Sequence, residues 1–136
     1  VMRIMAIDYG KKRTGLAITD PLQIIAYPLD TIQTEKICEY FDNYLKQEKV
    51  EKIIIGHPKH SDNTDADIFP EIKKFSEELS KKYPEIEIIF WDERFTSKMA
   101  VSEMIKGGYS KKDRRKKENI DKIAAYIMLQ EYMQII

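Results

Sequence analysis

Three acidic residues stand where packing and solubility give no reason for an acid. Asp8 closes the apolar run Ile4-Met5-Ala6-Ile7, Glu93 follows Ile88-Ile89-Phe90-Trp91, and Asp121 opens an otherwise apolar helix. A strand end that presents a carboxylate beside a hydrophobic core leaves the charge partly desolvated, which is unfavourable unless a cation or a donor offsets it. Three such ends together suggest a divalent-metal site. Each acid alone has an ordinary explanation: a turn tip for Asp8, surface ion pairs with Arg94 and nearby lysines for Asp92 and Glu93, and first-turn dipole complementarity for Asp121. It is the combination that points to shared coordination.

Neighbouring residues extend this reading. Successive strand residues face opposite sides, so only one of Asp92 and Glu93 can share a site with Asp8, and Glu93 is the preferred one. Thr96 and Ser97 at a helix start would leave unpaired backbone amides facing the same region, a seat for phosphate. Asp121 shares a helix face with Ala124, Ala125, Met128 and Leu129, and the two alanines are small enough to bring that face close to a sheet. In Asp8-Tyr9-Gly10-Lys11-Lys12-Arg13-Thr14-Gly15, Gly10 permits a tight turn and Gly15 lies where the strand backbone must pass close to a neighbour.

From Lys106 to Lys122 there are eight basic residues against three acidic ones, the strongly positive segment of a chain whose 23 Lys+Arg balance 23 Asp+Glu. Its position just before Asp121 favours a nucleic-acid phosphate backbone as partner. Arg13, Arg94, Thr96, Lys98, Lys111, Lys112, Arg114, Arg115, Lys116 and Lys117 are the candidate contacts. Gly107-Gly108 should end a helix running from Thr96-Ser97 to about Lys106 and make the basic stretch a mobile loop. His57 and His60 sit in a polar loop with no third ligand of matching spacing and are read as substrate or solvent contacts. Cys38 and Trp91 are read as core residues.

The elements that must carry these residues follow from periodicity. Strands are expected at Arg3 to Asp8, Thr14 to Thr19, Ile24 to Leu29, Lys52 to Gly56 and Ile86 to Trp91. Helices are expected from Ile37 to about Lys49, from Ile68 to Tyr83, from Thr96 to Lys106 and from about Asn119 to the end. Three strands in a meander followed by two strands reached through helical crossovers make an α/β domain. At 136 residues the chain is expected to be a single domain over 1–136. One cysteine excludes an internal disulfide and thiolate zinc sites, and a reducing, cytoplasmic setting is expected. No apolar run approaches the ~20 residues of a membrane span, and the N-terminal run is too short and too charged in its flank for a signal peptide.

At this point the chain resembles the YqgF family of RNase H-like nucleases, described both as pre-16S rRNA nucleases and as Holliday junction resolvases. The residues that carry the resemblance are Asp8-Tyr9-Gly10 with Arg13, Gly15 and Ala17; Gly56-His57-Pro58; Asp92-Glu93-Arg94-Phe95-Thr96-Ser97 with Ala100; and Asp121-Lys122-Ile123-Ala124-Ala125 with Leu129-Gln130. The resemblance implies an RNase H-like five-stranded mixed sheet of order 3-2-1-4-5 with helices on both faces. It also implies a Mg2+ or Mn2+ site on Asp8, Glu93 and Asp121, and two-metal hydrolysis of phosphodiesters. Maturation of the 5′ end of pre-16S rRNA is the first expectation, by an endonuclease or exonuclease that is a monomer or homodimer. Cleavage of branched DNA as a junction resolvase, which would need a dimer, and a non-catalytic RNA-binding module are the alternatives. An actin-like ATPase or sugar kinase is a poorer fit, because those enzymes bind nucleotide between two lobes. Two departures from the family pattern stand out: the loop 59–65 has no glycine, and Thr14 replaces an aliphatic residue.

Overall fold

β1 (Arg3–Tyr9), β2 (Arg13–Thr19) and β3 (Ala26–Gln33) form an antiparallel meander. β4 (Val50–His57) runs parallel to β1 on its other side, and β5 (Glu87–Asp92) runs parallel to β4. The sheet order is β3-β2-β1-β4-β5 with β1 central, as the sequence led us to expect. The computed structural model describes residues 2–93, 102, 104–114 and 116–135.

Helices cover both faces. A short 3-10 turn (Thr34–Lys36) leads into α1 (Ile37–Gln47), which with α2 (Phe69–Lys82) covers one side. There Ile37, Phe41, Ile72, Phe75 and Leu79 meet Met5, Ile7, Leu16, Ile18, Ile53 and Ile55. After a single helical turn, α3 (Lys111–Arg114), the long α4 (Lys117–Ile135) covers the other side, where Ala125, Met128, Leu129 and Tyr132 meet Ile4, Ala6, Ala17 and Ile54. Among the described residues no helix is long and apolar enough to cross a membrane.

The two-residue period of the strands decides what faces α4. Ile4 and Ala6 point to that face, so Asp8 does too; Ala17 puts Gly15 and Arg13 there; Ile54 puts Gly56 there; and Ile89 and Trp91 put Glu93 there. Every residue needed for a site therefore leaves the sheet on one side and at one end.

The third strand is the main correction to the sequence reading. It begins at Ala26 and runs to Gln33, whereas the apolar pair Ile24-Ile25 had suggested Ile24 to Leu29. The Asp20 carboxylate accepts the backbone N–H groups of Leu22 (3.1 Å), Ile24 (2.8 Å) and Ile25 (2.7 Å), which takes those donors away from any ladder. Gln23 sits at φ 58, and Ile24 and Ile25 are 68% and 63% exposed on the resulting loop. Cys38, expected in the core, is exposed at the edge of an apolar cleft lined by Phe41, Phe75, Leu79 and Tyr83. The basic stretch is not simply a loop, since Lys111–Arg114 forms a helical turn and α4 starts at Lys117, two residues before Asn119. Of the helix expected from Thr96 to Lys106, residues 96–101 and 103 lie outside the described residues; 102 and 104–106 are helical and Gly107-Gly108 follow as the end, Gly108 at φ 82.

Thr14, the departure in the second strand, is fully buried and carries a compensation. Its hydroxyl shares a 2.8 Å hydrogen bond with Thr34, whose own hydroxyl donates to the Gly10 carbonyl at 2.6 Å. This chain ties the β1–β2 turn to the end of β3. Thr34→Val should leave the buried Thr14 hydroxyl and the half-buried Gly10 carbonyl without this partner and cost about 1–3 kcal/mol, to be read as a lower urea midpoint with unchanged slope; no shift of the midpoint would show that water replaces the lost hydroxyl.

Candidate active site

Asp8 is the penultimate residue of β1 and Glu93 the first residue past β5, each carried out of the sheet beside α4. The ladder pairs Gly56 with Trp91 and His57 with Asp92, so Glu93 emerges next to the end of β4, its N–H directed at the His57 carbonyl at 3.5 Å. A Cβ added to Gly56 would lie 2.1 Å from Glu93 Oε2 and 2.6 Å from its Cδ, so the carboxylate fills the space that a side chain at position 56 would take. Glu93 is half-buried there, whereas Asp92 is exposed.

The carboxyl groups of Asp8 and Glu93 hydrogen-bond to each other. Two carboxyl groups can do this only by sharing a proton, and both are pushed well above the ordinary carboxylate range. For Glu93 the cause is desolvation first, then the Asp8 charge; for Asp8 it is desolvation first, opposed by the hydrogen bond from Glu93 and reinforced by the charge of Asp121.

Asp121 arrives by a different device. Asp8 pairs across β1–β2 with Gly15, and a Cβ on Gly15 would lie 2.2 Å from the Asp121 carbonyl oxygen and 2.8 Å from the Lys122 nitrogen. The bare strand backbone at Gly15 is what lets α4 settle there, as the sequence suggested. The Asp121 side chain, 24% exposed, lies 3.6 Å through Oδ2 from Arg13 Nε.

The three acids thus gather at one end of the sheet, but among the described residues no group of three or more His, Cys, Asp or Glu side chains is already spaced to hold a metal ion. Asp8 and Glu93 are in contact, whereas Asp121 is turned to Arg13. The physical reason is mutual repulsion: without a cation, a proton and a guanidinium occupy the carboxylates. The donor set is all carboxylate oxygen, which suits a hard divalent cation such as Mg2+ or Mn2+.

Of the candidate phosphate contacts, Lys111, Lys112 and Lys116 are exposed. Arg94, Thr96, Lys98 and Arg115 lie outside the described residues, as do the side chains of Arg114 and Lys117. His57 and His60 make no metal pair: His57 Nε2 is 2.7 Å from Asp65 Oδ1 with its ring stacked 3.8 Å over Phe69, and His60 Nε2 is 3.8 Å from Asp67. The glycine-free loop closes through a Lys59–Asp65 bridge, and Asn63 takes the left-handed conformation at φ 75 that asparagine tolerates. Trp91 is half-buried edge-on to Tyr132, its indole N–H directed at Glu131 at 3.3 Å. The role of Gly56 as room for Glu93 and the turn of Arg13 to Asp121 were missed from the sequence, although strand parity places both on the α4 face.

A family model described as "RuvX: Holliday junction resolvase" matches residues 2–135. The chain belongs to the RuvX family. This is the family to which the YqgF resemblance pointed. The RuvX chain is 48% identical over 132 residues, 97% of its length and 95% of the relative's, to a protein of Phocaeicola vulgatus named "Putative pre-16S rRNA nuclease". A Christiangramia forsetii protein of the same name is 48% identical over 96% of the chain and 97% of its own length. Among solved structures, Thermus thermophilus RuvC in complex with a Holliday junction substrate superposes with a TM-score of 0.59 at 14% identity, covering 99% of the RuvX chain and 96% of RuvC. A second RuvC structure gives a TM-score of 0.55 at 13% identity. At these identities the likeness speaks for the fold, which is RNase H-like.

Proposed function

We propose that this RuvX protein is a divalent-metal-dependent nuclease that matures the 5′ end of pre-16S rRNA. The observation that carries the reading is the Asp8–Glu93 pair seated over Gly56 with Asp121 brought beside it on Gly15, an all-oxygen donor set at the mouth of an RNase H-like sheet. The names of relatives sharing 48% of the sequence support ribosomal RNA as substrate.

Asp8, Glu93 and Asp121 would hold Mg2+ or Mn2+, which when bound supplies Lewis acidity and an activated water for phosphodiester hydrolysis. For this the Asp8–Glu93 pair must give up its shared proton. Arg13, Lys111, Lys112 and Lys116, with Arg94, Thr96, Lys98, Arg114, Arg115 and Lys117, would grip the substrate backbone. Such contacts set affinity and position without reading sequence.

The deciding assay offers the protein a 5′-extended 16S rRNA precursor and a four-way DNA junction, with Mg2+ or Mn2+ and with EDTA. Cleavage of the RNA that EDTA stops is expected, product lengths showing internal or terminal cutting. Cutting of the junction alone would reassign the substrate, and tight RNA binding with neither cut would make the chain a binding module. Neutralising Lys111, Lys112 and Lys116 together should flatten log K against log[salt] by about 2, at ~0.7 per contact on single strands, whatever the RNA sequence. An unchanged slope would leave those lysines a solvated charge run.

A further inference from the structure

Arg13 carries the one buried side-chain nitrogen or oxygen among the described residues that has no hydrogen-bond partner, its Nε. Buried polar atoms are almost always paired, so an orphan at this place asks for a reason. Its ion-pair partner, Asp121 Oδ2, stands 3.6 Å away, beyond hydrogen-bond reach for a guanidinium donor. The main chain cannot shorten the gap, because the Asp121 carbonyl already rests against Gly15, two residues along the strand from Arg13. Attraction without a directed bond is a contact that a second cation can displace at small cost. The side chain is also 34% exposed, so it has somewhere to go.

The contact sets a positive charge against Asp121, the acid that α4 brings to Gly15, the partner of Asp8 across β1 and β2. A divalent ion taken up by that carboxylate would compete with Arg13 for it.

We propose that Arg13 is the stand-in cation of the metal-free site: it neutralises Asp121 until a divalent ion takes that carboxylate, and the released guanidinium then grips a phosphate oxygen of the substrate. The proposal rests on the metal-dependent reading above. Arginine suits the second task because its planar fork matches phosphate oxygens two at a time.

The test titrates Mn2+ alone, by calorimetry and without nucleic acid, into the wild type, Arg13→Gln and Arg13→Lys. Losing the competing charge should tighten Mn2+ about tenfold in Arg13→Gln, while Arg13→Lys, which keeps the charge, stays near wild type. In EDTA the Gln variant should melt lower than wild type, and saturating Mn2+ should close the gap. With saturating Mn2+ its KM for RNA should rise about tenfold, with kcat changed much less. Equal or weaker Mn2+ binding by Arg13→Gln would overturn the proposal and make Arg13 an orienting partner of Asp121. Arg13→Met, which keeps the apolar stem, takes its place if the Gln variant does not fold. Failure of the wild type to take up Mn2+ would sink the metal-site reading and this proposal with it, whereas Mn2+ uptake and cleavage by a wild type whose Arg13 variants bind no tighter would sink this one alone.

Discussion

Asp8→Asn is expected to abolish phosphodiester cleavage, by about a thousandfold or more, the equivalent of ~4 kcal/mol of transition-state stabilisation, and yet to raise the melting temperature of the metal-free protein. The two effects have one origin. Asp8 is pressed against Glu93 and within reach of the Asp121 charge, so a site built to hold a cation is poorly served without one. Asparagine keeps the shape, lets its amide donate to Glu93 and removes the buried Asp8 charge that faces Asp121. With water still reaching the open side of the site, the gain should be on the order of 1 kcal/mol, or roughly 4 °C in a domain of this size.

The pH dependence gives the sign. Both carboxyls titrate higher in the folded protein than in the unfolded chain, so the native state binds more protons. Their contribution is fully present below the ordinary carboxylate range and is lost as pH rises through the raised folded values. In EDTA the wild type should therefore lose stability on going from about pH 4.5 towards alkaline conditions, and Asp8→Asn should lose less. The gap between the two melting curves widens with pH. A gap that is constant, or that narrows as pH rises, would mean that Asp8 and Glu93 do not share a proton, and full nuclease activity in Asp8→Asn would remove Asp8 from the catalytic assignment.

Two alanine substitutions at glycine should have large effects of opposite kinds. In Gly56→Ala the new methyl collides with the carboxylate of Glu93, the far end of a side chain that can swing away. The fold should survive, with stability within about 1 kcal/mol of wild type, while cleavage falls at least about a hundredfold as the carboxylate leaves its place. In Gly15→Ala the methyl collides with the carbonyl and peptide of Asp121, backbone that can move only if α4 moves. That helix buries Ala125, Met128, Leu129 and Tyr132 against the sheet, so its displacement should cost about 3 kcal/mol or more in addition to activity. Urea unfolding beside a cleavage assay separates them. Wild-type stability in Gly15→Ala would contradict the close approach of α4 to β2, and wild-type activity in Gly56→Ala would show that Glu93 is not held in the cradle.

Much of this architecture is local, and local features are legible in a sequence. The period of two along Ile4-Met5-Ala6-Ile7-Asp8 and Ile88-Ile89-Phe90-Trp91-Asp92-Glu93 fixes which acids leave the sheet on the α4 side, because a strand has no other way to alternate its side chains. The small pair Ala124-Ala125 and the bare Gly15 announce a helix lying close to a strand, since only missing side chains permit it. The meander of three strands and the two helical crossovers followed from the succession of periodic segments, and the order 3-2-1-4-5 from the family resemblance. Tertiary structure decided the rest, through contacts between residues far apart in the chain. Ile24-Ile25 looked like strand by composition, but Asp20 captures the donors that a ladder would need. Cys38 sits beside core residues in sequence and is exposed, because the face of α1 that carries Ile37 and Phe41 is the one buried in the core. Thr14 was unexplained until Thr34 met it from the end of the next strand. That Glu93 fills the space over Gly56 while Arg13 stands against Asp121 is decided by which charges must be neutralised when three carboxyl groups are brought together, and no periodicity in the chain records that.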